Sequence, residues 1–291
     1  MDSPITLALA QAVDSLPRGP DLAFEPKFDG HRTTLERTPT SVIVRSKANR
    51  IVTSSWMDLA VAAMDLEPGV LLDGEAVIYR NGVLDFGAVQ QRAAAGAARA
   101  AALIRSLPAS YAAFDILRDV GGIDVTRRPY RERRARLVEL LTPLGPPLQP
   151  VPMTEDPEEA LTWYAGLRPI GIEGLCIKRL DGAYPAGRRT GGWWKLRHHD
   201  TIDCPVVGHT GTRAHPLALV VRLPDGTLAF SRRITAPVRV DVAAHLKDDD
   251  PQPSTRTEKG ERYTPCAPGL LVEVEAGTTR HPTVVVTRVR D

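Results

Sequence analysis

Lysine is scarce in this chain, and the positions of its few lysines are the first sign of chemistry. The sequence has six lysines against thirty-one arginines. Arginine keeps its proton in proteins, whereas a lysine amine becomes a nucleophile when burial or a neighbouring cation favours its neutral form. Four lysines fall within short patterns of charged and small residues: Lys27, Lys47, Lys178 and Lys195. Lys27 is the candidate nucleophile.

The surroundings of Lys27 follow the pattern K-x-D-G-x-R, which ends at Arg32. An Asp-Gly pair is common in surface turns, so this pattern alone fits an exposed turn as well as a reactive site. The interpretation as a site depends on further motifs that follow downstream in a fixed order. These motifs are Arg45–Asn49, Asp73–Glu75, Tyr111–Asp115, Glu173–Lys178 and Trp193–Arg197.

Together, the six ordered motifs resemble those of ATP-dependent DNA ligases of the covalent nucleotidyltransferase superfamily. The resemblance is strongest to the small bacterial ligases related to the ligase of end-joining repair, and it covers practically the whole chain. It implies an α+β fold in two parts. Residues 1–200 would form an antiparallel-sheet nucleotidyltransferase (adenylation) domain, and residues 203–291 an OB-fold β-barrel domain. It also implies an enzyme, a DNA ligase that uses ATP.

The resemblance gives the motifs roles in a three-step reaction. Lys27 would attack the α-phosphate of ATP, expel pyrophosphate and retain a lysyl-AMP phosphoramidate. AMP would then pass to the 5′-phosphate of a nick in duplex DNA, and the 3′-hydroxyl would displace it. Phe114 would stack on adenine, and Glu25 would contact it through the main chain. The implied ATP-binding residues are Glu25, Arg32, Lys47, Glu75, Phe114, Lys178, Lys195 and Arg197.

Two glutamates are the candidate metal ligands. Glu75 and Glu173 offer hard carboxylate oxygens, and Mg²⁺ (or Mn²⁺) is typically held by few carboxylates together with substrate oxygens. Without the resemblance, each glutamate would be interpreted as a carboxylate at a hairpin edge. Phe114 would be interpreted as a core aromatic residue, and the basic motif residues as exposed charges at strand ends.

The overall charge does not indicate a nucleic-acid binder, since the net charge of +2 is spread nearly evenly. Two basic clusters, 127–134 and 188–199, either contact phosphates or form a solvated helix face and an exposed loop. So little surplus charge predicts modest, salt-sensitive affinity for nicked duplex DNA and dependence on a repair polymerase or other repair proteins. The candidate DNA-binding residues are Arg45, Arg127, Arg128, Arg188 and Arg189.

Periodicity and turn residues predict the elements that position these motifs. In residues 1–200, apolar–polar alternation and the Asn81-Gly82 pair favour antiparallel strands and a hairpin. The predicted strands span 22–36, 41–45, 70–79, 83–85, 110–117, 175–179 and 194–197. The predicted helices span 86–107, 130–141 and 156–167, the last with Asp156 as its cap and Pro157 at its first position.

The pattern of predicted elements changes after residue 199. Five short strands and one helix over 238–247 are typical of a small OB-like barrel. The segment 248–261 is too polar and rich in turn residues to be more than a loop or a disordered segment. The five predicted strands span 204–210, 218–223, 228–233, 270–275 and 284–289.

Composition excludes several classes of protein. With 43% hydrophobic and 25% charged residues, the chain is typical of a soluble globular protein. It has no run of eighteen apolar residues and no basic leader, so neither a membrane span nor a signal peptide is expected. We expect a cytoplasmic, nucleoid-associated monomer. Three cysteines without C-x-x-C spacing are expected to be buried thiols rather than disulfides or zinc ligands.

Some residues depart from the family pattern. Lys47 stands where the family usually has arginine, and Asn49 where it often has glycine, which predicts a weaker grip on phosphate. Arg280-His281-Pro282 and the end of the chain resemble the last signature motif but lack the final lysine of many relatives, which predicts inefficient self-adenylation. The alternatives are an RNA ligase or GTP-using capping enzyme, and a non-catalytic relative that binds DNA ends.

Overall fold

The computed structural model describes residues 6–198, 201–247, 249–250, 252–257, 260–275 and 284–290. The chain divides into two compact units, Met1–His198 and His199–Asp291. Within the described part of the chain, no helix has the length and apolar character that crossing a membrane requires.

The first unit combines two sheets with helices. Its strands are β1 (Gln11–Val13), β2 (Leu22–Lys27), β3 (His31–Arg37), β4 (Val42–Ser46), β5 (Leu71–Arg80), β6 (Val83–Leu84), β7 (Ala109–Asp119), β8 (Ile123–Asp124), β9 (Leu148–Pro150), β10 (Gly174–Arg179) and β11 (Trp193–Arg197). Its α-helices are α1 (Met57–Ala62), α2 (Phe86–Ala93), α3 (Ala97–Leu103), α4 (Tyr130–Leu141) and α5 (Pro157–Gly166).

The smaller sheet has the order β1-β11-β10-β2, and the larger has the order β4-β3-β5-β7-β8, with β6 paired to β5 and β9 to β7. Most pairs are antiparallel, as expected, but β1 runs parallel to β11 and β9 parallel to β7. The principal core of the unit includes Trp56, Leu72 and Ile116, all of which are fully buried.

Strand alternation separates core from site in the smaller sheet. Leu175 and Ile177 of β10 are fully buried in one apolar cluster with Phe24 and Leu196. Because successive residues of a strand point to opposite faces, the intervening residues lie on the other face. That face carries Glu25, Lys27, Lys178, Lys195 and Arg197.

Several local predictions are confirmed. Asn81 and Gly82 both have positive φ, 53° and 80°, as the hairpin between β5 and β6 requires. The α4 bounds agree with the prediction, and the Asp156 side chain caps α5 by accepting a hydrogen bond from the Glu158 N–H at 2.9 Å. The single helix expected over 86–107 is wrong. The chain forms α2 and α3 instead, because Gly96 adopts extended backbone as the N-cap of α3.

The second unit is built around the long strand β12. Its strands are β12 (Thr201–Thr212), β13 (His215–Arg222), β14 (Leu228–Phe230), β15 (Thr255–Arg256), β16 (Arg262–Pro265), β17 (Leu271–Glu275) and β18 (Val285–Arg290), and its helix is α6 (Ala236–Leu246). The sheet order is β14-β13-β12-β16-β15, and β12 also pairs with β17, which pairs with β18. Its core includes Val221, Val242 and Val272, all fully buried.

One expectation about this unit needs correction. The segment 248–261 was expected to lack regular structure, yet its Thr255–Arg256 strand pairs with β16. Backbone pairing suffices here, because both residues of β15 are exposed and have no apolar face to bury. The predicted motif Arg280-His281-Pro282 lies outside the described residues. Arg290 of β18 is ion-paired with Asp203 at 2.8 Å.

The cysteines are free thiols, as expected. Cys204 is buried, whereas Cys176 and Cys266 are only half-buried. The expectation that all three are buried is therefore wrong for two of them.

Candidate active site

Lys27 and Glu173 lie side by side at the edge of the smaller sheet. Lys27 ends β2, and the Glu173 N–H donates to its carbonyl at 2.8 Å. The Lys27 amine forms an ion pair with the Glu173 carboxylate, and these side chains keep 23% and 17% of their surface exposed. The structure thus brings the candidate nucleophile and one candidate metal ligand together at an accessible position.

Glu173 also binds a second cation. The Nε of Arg197 lies 2.8 Å from Glu173 Oε1, so the carboxylate bridges Lys27 and Arg197. This arrangement requires Gly174 directly after Glu173. Its φ is +152°, and a Cβ there would overlap the carbonyl oxygen of Leu196. The glycine of this motif therefore allows β11 to approach closely enough for Arg197 to reach Glu173.

The turn after Lys27 packs against the strand that carries Glu75. A Cβ on Gly30 would lie 2.5 Å from the Ala76 carbonyl oxygen and 2.8 Å from Glu75 Cγ. The Asp-Gly pair is thus a half-buried contact point rather than an exposed turn. Burial raises the pKa of Glu75 to about 7, and the charges of Lys27 and Arg32 oppose that rise. Glu75 therefore lies within the electrostatic reach of Lys27.

Arg32 is fixed by a bidentate ion pair. Its Nε and Nη2 lie 3.1 and 2.7 Å from the two carboxylate oxygens of the buried Asp73, and its Nη1 donates to the Ala8 carbonyl at 2.7 Å. The Tyr184 hydroxyl donates to the same carboxylate at 2.5 Å. Burial by itself lowers the pKa of Arg32, but the pairing with Asp73 outweighs it and raises that pKa. The guanidinium is therefore permanently charged and oriented.

Lys178 was predicted to contact ATP, but the structure buries it completely. Its Nζ lies 2.8 Å from the buried Glu25 and donates to the Phe114 carbonyl at 2.6 Å. The amine also lies over the rings of Trp193 and Tyr130, 4.3 and 4.4 Å from their centroids. The alternative of an exposed strand-end charge is thus wrong for Lys178.

Phe114 is half-buried on β7. Its ring meets Trp193 edge-on at 6.2 Å between centroids, and the Arg32 guanidinium lies 5.3 Å from its centroid. Phe114 thus packs against an apolar cluster that includes Leu71 and Trp193, but it is not fully enclosed by that cluster.

Lys47, Lys195 and Arg189 belong to one positive field. Burial lowers the pKa of Lys47, with further lowering by Arg32 and Arg189. Burial likewise lowers the pKa of Lys195, with further lowering by Arg197, Lys27 and Arg189. Cations from separate motifs are thus close enough to repel one another, and a bound polyanion would relieve that repulsion.

The basic cluster over 127–134 does not act as one surface. Arg127 and Arg128 are exposed, but Arg133 forms a fully buried bidentate pair with Asp115 at 2.8 and 2.9 Å. Arg134 is also buried. Neither alternative, phosphate contacts or a solvated helix face, describes the whole cluster, because two of its five arginines hold the fold together. Of the other candidate DNA-binding residues, Arg188 and Arg189 are exposed and Arg45 is half-buried on β4.

Residues 6–197 match a family model described as the ATP dependent DNA ligase domain. The chain belongs to the ATP-dependent DNA ligase family. It is 35% identical to DNA ligase C2 of Mycolicibacterium smegmatis over 207 residues, which cover 71% of this chain and 57% of that relative. It is 34% identical to DNA ligase C of Mycobacterium tuberculosis, of which it covers 58%. The chain thus spans less than two thirds of the length of both ligases.

Solved ligases share the fold. A mycobacterial DNA ligase D in complex with ATP and MES aligns with a TM-score of 0.53 and 25% identity, covering 97% of this chain and 95% of that one. A Lig E DNA ligase aligns with a TM-score of 0.62 over 98% of this chain and 99% of that one, at 17% identity. Ligase family structures therefore match nearly the whole chain.

Two carboxylates in the site could hold a metal ion. The described residues contain no group of three or more His, Cys, Asp and Glu side chains suited to a metal ion. The candidate donors are the carboxylates of Glu75 on β5 and Glu173 directly before β10, and both interact with the charge of Lys27. Two carboxylates without histidine or cysteine fit a hard cation that takes its remaining ligands from water or substrate.

Sequence reasoning missed two buried acids, one of which orients a residue of the site. Asp73 holds Arg32, and Asp115 holds Arg133, although the motif pattern assigns neither acid a role. The signal was present, because each interrupts an apolar strand at a position expected to be buried. A carboxylate at such a position requires a partner.

Proposed function

We propose that this protein is an ATP-dependent DNA ligase that seals nicks in duplex DNA through a lysyl-AMP intermediate on Lys27. The observation that carries the proposal is the placement of Lys27 against Glu173, within a chain of the ligase family. We assign residues 1–200 to the adenylation domain and residues 203–291 to an OB-fold domain that contacts DNA.

In the first step, the Lys27 amine attacks the α-phosphate of ATP. The Lys27 ammonium first loses one proton to solvent, and its neutral amine then forms the phosphorus–nitrogen bond as the bond to pyrophosphate breaks. The nitrogen releases a second proton to solvent, and pyrophosphate leaves. Glu173 holds the amine through their ion pair before nucleotide arrives. Arg197, which shares that carboxylate, lies close enough to compensate charge on the phosphates as Lys27 moves from Glu173 to the nucleotide.

An aromatic ring and several basic side chains bind the nucleotide. Phe114 stacks on adenine, and Arg32 reaches the ribose and phosphates from its fixed position on Asp73. Lys47 and Lys195 supply the charge that binds the triphosphate. Lys178 acts indirectly, because its buried amine fixes Glu25 and the Phe114 carbonyl.

Glu75 and Glu173 would hold Mg²⁺ (or Mn²⁺), which neutralises phosphate charge and lowers the pKa of the attacking 3′-hydroxyl. Glu75 suits this role because burial raises the pKa of its carboxyl group, and a nearby metal cation would lower that pKa and favour the charged carboxylate.

Nicked duplex DNA is the proposed partner. Exposed arginines at 127, 128, 188 and 189, together with Arg45, would contact its phosphates. A relative with 31% identity is named a multifunctional non-homologous end joining DNA repair protein, which supports other repair proteins as partners. We propose a repair polymerase as one of them. We propose that the protein acts as a monomer.

The test is sealing of a single nick with defined nucleotide and strand chemistry. Labelled ATP or GTP is combined with the protein, Mg²⁺ and a nicked duplex that is either all DNA or carries RNA at the nick. The proposal expects sealed DNA with ATP. Sealing only of RNA would identify an RNA ligase, labelling only by GTP a capping-type enzyme, and DNA binding without labelling a non-catalytic relative.

A further inference from the structure

We propose that Tyr164 is a positioning residue for Arg197 and, through it, for Glu173 beside Lys27. Tyr164 lies on α5, outside all six motifs. Its hydroxyl donates a hydrogen bond to the Arg197 carbonyl at 2.9 Å. Its ring stacks on His198, with 3.9 Å between centroids and 28° between planes. Tyr164 thus holds two successive residues at the end of β11.

The same two residues are bound to Glu173 on their other side. The His198 N–H donates to the Glu173 carbonyl at 2.9 Å, and the Arg197 side chain pairs with the Glu173 carboxylate at 2.8 Å. Strand pairing ends here, since Arg197 is the last residue of β11 and pairs with Gly174. Strand ends open easily unless other contacts hold them, and Tyr164 supplies those contacts.

Helix α5, which carries Tyr164, is itself well anchored. Asp156 caps its first turn, and Ala160, one turn before Tyr164, is fully buried. Tyr164 itself packs against the apolar cluster that includes Leu175 and Leu196, which lies beneath the site face of the smaller sheet. If the end of β11 moved relative to the sheet, it would therefore lose its contacts with Tyr164 on the anchored helix α5.

The effect of the Tyr164 hydroxyl passes through Arg197. The hydroxyl is engaged by a main-chain carbonyl, and the ring faces His198, so neither group touches the Lys27–Glu173 pair. What Tyr164 fixes is the backbone from which the Arg197 guanidinium reaches Glu173. If Tyr164 only supported the fold, its hydroxyl would change the rate of lysyl-AMP formation by the same factor whether or not Arg197 carries a guanidinium.

A double-mutant cycle separates these cases, and it rests on the proposed lysyl-AMP function. Tyr164→Phe removes the hydroxyl and keeps the ring. Single-turnover lysyl-AMP formation is measured over a range of ATP concentrations, alone and in an Arg197→Ala background. We expect the maximal rate to fall about threefold to tenfold, as for the loss of one hydrogen bond, with a smaller change in the half-saturating ATP concentration. In the Arg197→Ala background we expect no further fall.

Tyr79→Phe is the matched control, since Tyr79 is an exposed tyrosine of the same unit at the far end of β5. It should leave the rate unchanged. His198→Ala, which removes the stacked ring and keeps the hydrogen bond, should give an intermediate loss. The proposal is overturned if Tyr164→Phe reacts at the wild-type rate, or if it costs the same factor with and without Arg197. Absence of lysyl-AMP in the wild-type protein would instead overturn the proposed function.

Discussion

Glu25 and Lys178 form an ion pair that the first unit encloses completely, with 2.8 Å between Oε2 and Nζ. The Tyr130 hydroxyl donates a further hydrogen bond to Glu25, and burial raises the pKa of Tyr130, so that its proton is retained. The pair lies on the same strand face as Lys27, because Glu25 and Lys27 are alternate residues of β2 and such residues point to one side of a sheet. The buried part of this strand face is thus ionic.

Breaking this pair should destabilise the protein strongly. Lys178→Met leaves the Glu25 carboxylate buried without its cation, and we expect a loss of about 3–5 kcal/mol in the free energy of unfolding. Urea denaturation of the full chain measures it. Lys247→Met, at an exposed lysine after α6, is the control and should change little. Adding Glu25→Gln to Lys178→Met should recover part of the loss, and a double variant as unstable as the sum of both would contradict the account.

Gly30 should be intolerant of a methyl group. In Gly30→Ala the new Cβ meets the Ala76 carbonyl oxygen at 2.5 Å, so the turn must move away from β5 and Glu75. We expect a cost of about 1–3 kcal/mol in stability and a large fall in the rate of lysyl-AMP formation.

The control for this substitution is Gly96→Ala. A Cβ at Gly96 meets no atom within 4 Å, and its φ is −66°. This variant should form lysyl-AMP at the wild-type rate. A Gly30→Ala protein that matched it would show that close approach of the turn to β5 is not needed.

Acid should weaken the second unit through His209. Burial lowers the pKa of His209, and the weaker effects of Thr210 and Asp249 oppose this. The unfolded chain therefore binds a proton below about pH 6.5 before the folded chain does. Stability is fully present above that pH and is lost as the pH falls towards the lowered pKa of the folded state.

Hydrogen exchange of the β12 and β13 amides reports this loss. Protection should be lower at pH 5.5 than at pH 7, after correction for intrinsic exchange rates. The difference should shrink in His209→Gln, which cannot titrate. An equal difference in both proteins would show that another group is responsible.

The sequence predicts local structure well where one segment contains the whole signal. The Asn81-Gly82 hairpin, α4 and the capped α5 all follow from turn residues, periodicity and a capping aspartate. The order of the motifs also identifies Lys27 and Glu173 as site residues. Their adjacency requires the pairing of β2 with β10, which strand patterns alone do not specify.

Partners distant in sequence explain most of what the sequence did not reveal. Charge counting places Arg133 and Lys178 on the surface, whereas Asp115 and Glu25 draw them into the core. Periodicity tells which face of a strand is buried but not which charge lies opposite. The break at Gly96 has a local cause instead, because this glycine adopts extended backbone between the two alanine-rich helices α2 and α3.

The central claim is a covalent bond between Lys27 and AMP, and peptide mapping by mass spectrometry after incubation with ATP and Mg²⁺ tests it most directly. The account predicts that the peptide containing Lys27 gains the mass of one AMP group, that Lys247→Ala gains it equally, and that Lys27→Ala does not. An adduct on Lys195 or another lysine, or one that persists in Lys27→Ala, would contradict it, as would the absence of any adduct.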